Sequence, residues 1–380
     1  MRLLHTSDWH LGRSFHREDL LGAQAAFVDH LVEVVRSERV DAVLVSGDLY
    51  DRALPPVDAV ALCNDALHRL AALRVPTVVI SGNHDSAQRL GFAADLIAAA
   101  GVHLRTLPAR AHEPVLLEDR HGPVAVYGIP YLEPDVARPL LGCEERGHAA
   151  VLGTAMDRVR ADLARRPGAR SVVLAHAFVT GGEPSQSERD ITVGGVASVP
   201  LSTFDGVSYT ALGHLHGPQV LAETVRYSGS PLAYSFSESD HRKASWLVEL
   251  GAGGVEQVER VDAPVPRRLG RLRGRLDDLL ADPRHADHED RWLQVALTDP
   301  VRPREAMERL RTRFPHTLVL SFEPEGSTPD TGGYAARVSG LSDVEVAARF
   351  VADVRSPATD AETALLQQAF EAGRLAEQGA

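Results

Sequence analysis

The chain has almost no cysteine. Cys63 and Cys143 stand in unrelated contexts among 380 residues. Two isolated thiols make no disulfide framework and point to a reducing compartment. The chain also lacks any apolar run near the roughly 18 residues that span a bilayer. Met1 to His5 leads straight into a strand-like stretch, without the apolar segment of a secretory leader. These absences predict a cytoplasmic protein. Positive charge is short as well: 40 Lys and Arg against 52 Asp and Glu leave a formal charge of −12. A free-standing nucleic-acid binder usually carries a basic footprint, so charge alone disfavours that class. It excludes neither an enzyme whose bound cations neutralise a carboxylate-rich site nor a nucleic-acid surface completed by a partner. Hydrophobic content of 44% and charged content of 24% are those of a globular chain. The length calls for two or three domains.

What is present first is alternation. Leu3–Thr6, Asp41–Ser46 and Pro76–Ile80 read as buried strands, with amphipathic helices predicted over 17–36, 55–73 and 86–100. Strands alternating with helices imply a layered α/β domain. Beyond residue 100 come strand-like runs at Val102–Leu104, Val115–Leu117 and Val124–Tyr127, then a helix over 151–165 and a strand at Ser171–Leu174. A glycine-rich loop over 179–199 and strands at Val207–Leu212, Val225–Ser228 and Ser245–Leu250 complete a first domain over residues 1–263. From Pro264 the composition shifts. Arg267, Arg268, Arg271, Arg273 and Arg275 crowd a segment without an acid. The pattern after them predicts a small α+β domain over 264–325. Residues 326–340 read as a linker, and two amphipathic helices, over 343–354 and 360–376, occupy 341–380.

The chemistry lies where the predicted strands end. Ser7-Asp8-Trp9-His10, Gly47-Asp48, Gly82-Asn83-His84-Asp85, Ala175-His176 and Gly213-His214-Leu215-His216 each follow an apolar run. In open α/β sheets that is where ligands bind. Each motif alone is weak: a single Gly-Asp is more often a turn than a ligand. Together they supply Asp8, His10, Asp48, Asn83, His176, His214 and His216, a carboxylate, imidazole and amide set without thiolate, which suits two divalent ions such as manganese. On an extended path Asp8 and His10 would share one face, as would His214 and His216. Asp48, with two oxygens, is the natural bridge. A pair of ions about 4 Å apart polarises phosphoryl oxygens and favours in-line attack at phosphorus. His84 follows Asn83 and on an extended path points the other way. It is therefore read as the catalytic group that contacts the phosphate or protonates the leaving alkoxide. Asp51 is a candidate to orient His84 or a metal-bound histidine, although the plainer reading, a turn residue, is preferred. The remaining histidines, among them His5, His16 and His30, are read as surface or packing residues.

This array resembles the calcineurin-like metallophosphoesterases. Two longer stretches, Phe178 to Val196 and Tyr227 to Glu238, narrow the resemblance to the SbcD-type nuclease subunits of bacterial SbcCD complexes. No ligand position departs from the family pattern. The resemblance implies a β-sandwich flanked by helices and a manganese-dependent exo- and endonuclease acting on DNA ends and hairpins in repair and recombination. It implies one ion on Asp8, His10, Asp48 and His216, the other on Asp48, Asn83, His176 and His214, and a catalytic His84. Residues 264–325 would cap the site and help seat DNA, with Arg267, Arg268 and Arg271 as candidate phosphate contacts. The terminal helices would dock on the coiled coil of an SbcC-type SMC ATPase, and the 55–100 helices would pair two copies into a homodimer within a heterotetramer near the nucleoid. Two rivals share the motifs: a general metallophosphodiesterase of small substrates, and a non-catalytic DNA-end tether. The first does not need the two long stretches or the C-terminal segments; the second would be favoured by a lost ligand, and none is lost.

Overall fold

The structure is a computed structural model that describes residues 1–191, 198–325, 338, 340–355 and 357–378. Most of the expected 326–340 linker, and residues 192–196 of the long stretch at 178–196, lie outside the described residues. The chain divides into two compact units, Met1–Pro266 and Arg267–Ala380.

The first unit is built on two six-stranded sheets. One is formed by β1 (Arg2–Thr6), β4 (Ala42–Ser46), β5 (Thr77–Ile80), β6 (Val102–Arg105), β13 (Ala244–Gly251) and β14 (Gly254–Asp262), in the order β14-β13-β1-β4-β5-β6. The other is formed by β7 (Val115–Asp119), β8 (Gly122–Ile129), β9 (Arg170–His176), β10 (Tyr209–Gly213), β11 (Gln219–Ala222) and β12 (Val225–Tyr227), in the order β11-β12-β10-β9-β8-β7. Strands β1, β4, β5 and β6 run parallel, as do β8, β9, β10 and β12. Parallel strands buried on both faces need continuous apolar runs. Accordingly Leu3 and Leu44 face the second sheet, packing with Val172, Leu174 and Ala211, while Leu4, Val43 and Val45 face outward against the helices Leu21–Ser37 and Val57–Ala72. The helices Pro134–Leu141 and His148–Leu163 cover the other sheet through Val151, Ala155 and Met156. The result is helix, sheet, sheet, helix. All the parallel strands of one sheet end on the same edge, which sets the stage for the site.

One polar contact sits deep between the sheets. His5 is fully buried, with Nε2 3.1 Å from the Leu212 carbonyl and Nδ1 3.0 Å from the Tyr209 hydroxyl. A carbonyl only accepts, so Nε2 carries the proton and Nδ1 accepts from tyrosine. Burial pushes the His5 pKa down to about 3, below its ordinary value near 6.5. The folded state therefore disfavours the proton that the unfolded state takes up. Stability from this group is complete above pH 6.5 and falls as pH drops from 6.5 toward 3, by about 1.4 kcal/mol per unit. Urea denaturation at pH 7 and pH 5 should show about 2 kcal/mol of loss from this residue, and His5→Gln should remove that part of the pH dependence while lowering stability at pH 7.

Elsewhere the chain departs from its sequence pattern for local reasons. The helix expected over 17–36 starts at Leu21, because β2 (Ser14–Phe15) and β3 (Glu18–Asp19) form a small hairpin before it. The helix expected over 86–100 is two short pieces, Ala87–Leu90 and Ala94–Ala98, separated where Ala93 takes a left-handed φ of 56°. Pro134 at the first turn and Gly142 at the close frame a helix that its internal Pro139 hid from the pattern.

The second unit contains a three-stranded parallel sheet of β15 (Leu269–Gly274), β16 (Trp292–Leu297) and β17 (Thr317–Phe322). Its core is Leu272, Leu276, Leu279, Leu293, Val295, Leu310 and Phe314. The arginine run is thus largely a strand, with Leu272 inward and Arg271 and Arg273 outward. Part of its charge is also answered. Arg267 lies 3.4 Å from Asp290, Arg275 3.2 Å from Glu325, and Arg273 pairs with Glu323. Two further helices, Asp343–Val354 and Asp360–Gln378, pack on each other; Ser342 and Glu345 make a reciprocal cap at the start of the first.

Candidate metal centre

Five strand ends converge. Asp8 and His10 follow β1, Asp48 follows β4, Asn83 and His84 follow β5, His176 ends β9, and His214 and His216 follow β10. The side chains are not brought together by extended pairs. Asp8, His10, Asp48 and His214 have φ of 53°, 45°, 50° and 104°. The alternate-face argument for both Asp-x-His and His-x-His is therefore corrected: left-handed turns, not pleating, aim these groups. The path at Asn83 and His84 is likewise bent rather than extended. Such backbone positions are costly and persist where the surroundings fix them. Here the fixing bonds are Asp8 N–H to the Gly47 carbonyl at 3.0 Å and His10 N–H to the Asp48 carbonyl at 3.0 Å. Gly82 is needed for space rather than for its φ: a Cβ there would fall 2.1 Å from Asp48 Oδ1.

The donor atoms fall into overlapping clusters: Asp8, His10 and His216; His10, Asp48 and His84; and Asp8, Asp48 and His176. Asp48 Oδ2 is 3.7 Å from His10 Nε2 and 3.5 Å from His176 Nε2. Its Oδ1 accepts the His84 backbone N–H at 2.8 Å. His10 Nε2 is 3.0 Å from His216 Nε2. Asn83 Oδ1 is 2.8 Å from His176 Nε2 and 3.1 Å from His214 Nδ1. The Asp8 carboxylate accepts the His214 N–H and the Ser7 hydroxyl. All seven expected ligands thus meet in one place, and His84 lies beside them, its ring 4.7 Å from that of His10. Burial raises the Asp8 carboxyl to about 6 and that of Asp48 to about 7. Burial also holds His10 and His214 well below their ordinary values and lowers His176.

These observations fit divalent cations. His176 Nδ1 faces the Ser46 carbonyl at 2.9 Å and must donate to it, which leaves Nε2 bare toward the Asn83 oxygen. Two acceptors face each other at 2.8 Å in this arrangement, and a cation between their lone pairs would relieve the repulsion. His10 Nδ1 and Asn83 Nδ2 are buried without a hydrogen-bond partner, and neither buried carboxylate has a lysine or arginine against it among the described residues.

Around this set lie residues to which the sequence alone assigns no role. Asp85, inside the Gly-Asn-His-Asp motif, accepts the N–H groups of Leu49, Tyr50 and Gly82 and so ties the Asp48 loop to the Asn83 loop. Ser187 Oγ is 2.6 Å from His216 Nδ1, and Glu188 accepts the His216 N–H at 2.8 Å. Lys243 Nζ donates to the His216 carbonyl at 2.8 Å. Arg13 lies over the Tyr234 ring, 3.6 Å from Asp51. The long resemblance stretches point at this region without saying what it does. Asp51 does contact the expected partners: its carbonyl is 2.7 Å from His84 Nδ1 and its carboxylate 3.9 Å from His10 Nδ1. Arg267, Arg268 and Arg271 belong to the second unit, the first half-buried and the other two exposed.

Residues 1–218 match the family model of the calcineurin-like phosphoesterases. That is more than half of the chain, and the chain belongs to this family, whose members are metal-dependent phosphoesterases. Residues 265–355 match the SbcD C-terminal family, described as the type 5 capsule protein repressor C-terminal domain. The two matches together support an SbcD-type subunit. Similar solved structures include TT1561 of Thermus thermophilus, at 16% identity over 69% of this chain and 98% of that one, with a TM-score of 0.40. A dimetal phosphatase from Danio rerio is similar at 13% identity over 70% and 99%, with a TM-score of 0.40. The E. coli phosphoesterase Yfce is similar at 12% over 69% and 100%, with a TM-score of 0.29. Among the described residues no helix is long and apolar enough to cross a membrane.

Proposed function

We propose that this chain is the nuclease subunit of an SbcCD-type complex, cutting phosphodiester bonds at DNA ends and hairpins with manganese and an SbcC-type ATPase partner. The observation that carries the reading is the convergence of six buried donors and the half-buried Asn83 on one edge of two sheets, with the half-buried His84 beside them. The C-terminal family match favours DNA over a small phosphodiester, the rival reading. Asp8, His10, Asp48 and His216 would hold one ion and Asp48, Asn83, His176 and His214 the other. Bound ions would supply charge to polarise the phosphoryl oxygens.

The chain's own residues do the rest. The Asp51 carbonyl accepts from His84 Nδ1–H, so Nε2 is the free nitrogen of that ring. Burial lowers the His84 pKa, so the resting ring is neutral and its Nε2 accepts. Only once the ring has taken up a second proton, on Nε2, can it give that proton to a phosphoryl oxygen, or to the leaving oxygen as the P–O bond breaks. It then returns to the Nδ1–H form held by Asp51. Asp51 thereby positions His84 through its backbone, and its carboxylate faces His10. By the same reading Arg267, Arg268 and Arg271 contact DNA phosphates, residues 264–325 form the capping domain, and the helices over 341–380 dock on the partner.

The test is cleavage of a labelled DNA hairpin by the full chain with manganese, with and without partner and ATP. His84→Gln should keep its bound manganese and lose roughly 10²–10⁴-fold in rate. Wild type that hydrolyses only small phosphodiesters, even with the partner, would replace the nuclease reading with the general phosphodiesterase.

A further inference from the structure

The two stretches singled out in the sequence, 178–196 and 227–238, meet on one side chain. Ser187 from the first and Glu238 from the second both reach the back of His216. Ser187 Oγ lies 2.6 Å from His216 Nδ1 and donates to Glu238 Oε1 at 2.5 Å. Glu238 Oε1 also accepts the Tyr234 N–H at 3.1 Å, and Oε2 accepts from Lys243 Nζ. The ammonium spends its other protons on the His216 carbonyl at 2.8 Å and the Ser230 hydroxyl at 3.0 Å. All four residues are buried: Ser187 is 8% exposed, Glu238 1%, Lys243 3% and His216 1%.

The proton count in this cluster has one solution. An ionised carboxylate only accepts, and a hydroxyl has one proton to give. Ser187 gives its proton to Glu238 and is left with lone pairs toward His216. His216 Nδ1 must therefore carry a proton and donate it to Ser187. That leaves Nε2 bare, and Nε2 is the nitrogen that lies 3.0 Å from His10 Nε2 in the centre. Packing alone would not call for a buried lysine and glutamate, since such a pair costs desolvation that apolar residues would avoid.

We propose that Ser187, Glu238 and Lys243 are positioning residues that hold His216 in its Nδ1–H form with Nε2 presented to a metal ion. The proposal rests on the two-metal reading above and adds residues to it. The Glu188 carboxylate, which accepts the His216 N–H at 2.8 Å and the Ser185 N–H at 2.7 Å, clamps the loop that carries Ser187 onto the same histidine. Arg13 holds the other side of that loop through the Ser187 carbonyl at 3.0 Å. One ligand is thus fixed from its ring, its backbone N–H and its carbonyl.

The experiment reads the tautomer directly. Full-length protein with ¹⁵N-labelled histidine is stripped of metal, and the His216 ring nitrogens are assigned by their loss in His216→Asn. Manganese(II) affinity is then measured by calorimetry for wild type, Ser187→Ala and Ser187→Thr. The expected result is a protonated Nδ1 and a bare Nε2 in wild type. Ser187→Ala should give mixed tautomers and about 10–100-fold weaker manganese binding. Ser187→Thr keeps the hydroxyl and should restore both. Wild type with Nε2–H in the stripped protein, or Ser187→Ala with unchanged tautomer and affinity, overturns the proposal. Wild type with the expected tautomer that takes up no manganese supports the tautomer assignment and overturns the metal-centre reading instead, so the two failures are told apart.

Discussion

Replacing Asp48 with asparagine is expected to abolish hairpin cleavage, by at least about 10³-fold, and to lower the manganese retained after desalting. The same change should raise the stability of the metal-free protein. Both effects follow from one carboxylate. Asp48 reaches His10 with Oδ2 at 3.7 Å and His176 at 3.5 Å, and accepts the His84 N–H through Oδ1. It touches both halves of the centre, and asparagine keeps its shape and its bond to His84 while offering an N–H in place of the oxygen that faces the bare His176 nitrogen. Only the charge is lost. Without cations that charge is a burden: burial lifts the Asp48 carboxyl to about 7. A carboxyl raised in the folded state destabilises above its unfolded pKa near 4, and the penalty grows from pH 4 to pH 7. Urea denaturation with chelator at pH 7.5 should therefore show Asp48→Asn more stable by roughly 2–4 kcal/mol, and the difference should vanish near pH 4. Equal stability at both pH values, or cleavage at the wild-type rate, would sink the assignment of Asp48 as the shared ligand.

The second large effect concerns Lys243. Its ammonium is the only Lys or Arg cation against Glu238 among the described residues, and burial would push that carboxyl up were Lys243 not holding it below the usual range. Lys243→Met leaves the Glu238 charge buried without a counter-charge, which costs about 3–5 kcal/mol. Thermal unfolding followed by near-ultraviolet dichroism should show a fall in Tm of roughly 10 °C for a unit of this size. The double variant Lys243→Met with Glu238→Gln removes both charges and should recover much of that loss. A single variant that melts within about 2 °C of wild type would mean that the pair is not buried as described.

How far these features are legible differs by kind. The eight residues of the centre are readable because each follows an apolar run, and Val43 to Val45 or Val78 to Ile80 can be buried on both faces only as inner strands. The handedness of the backbone at Asp8, His10 and Asp48 is not, although Asp and His are among the residues enriched there. Residue type says what can bind but not how a turn aims it. Ser187, Glu238 and Lys243 escape notice for a different reason. A polar serine and, about fifty residues on, a glutamate and a lysine look like surface residues until the fold closes over them. In the fold itself, proline hides the helix at Pro134–Leu141, and arginine hides strand β15, whose outward side chains are all basic.

The left-handed turns carry a consequence for how such a chain changes over generations. At Asp8, His10 and Asp48 an L-residue holds a conformation that glycine adopts freely, at a cost of roughly 1 kcal/mol per position. Drift to glycine at any of the three would relax the backbone and, at Asp8 and Asp48, also discard a buried charge. Inactivation is then downhill in folding free energy. A population under selection for robustness alone, with no demand for chemistry, would erase these positions first and keep the two sheets. The centre persists only while its activity is worth more to the cell than the stability it forgoes.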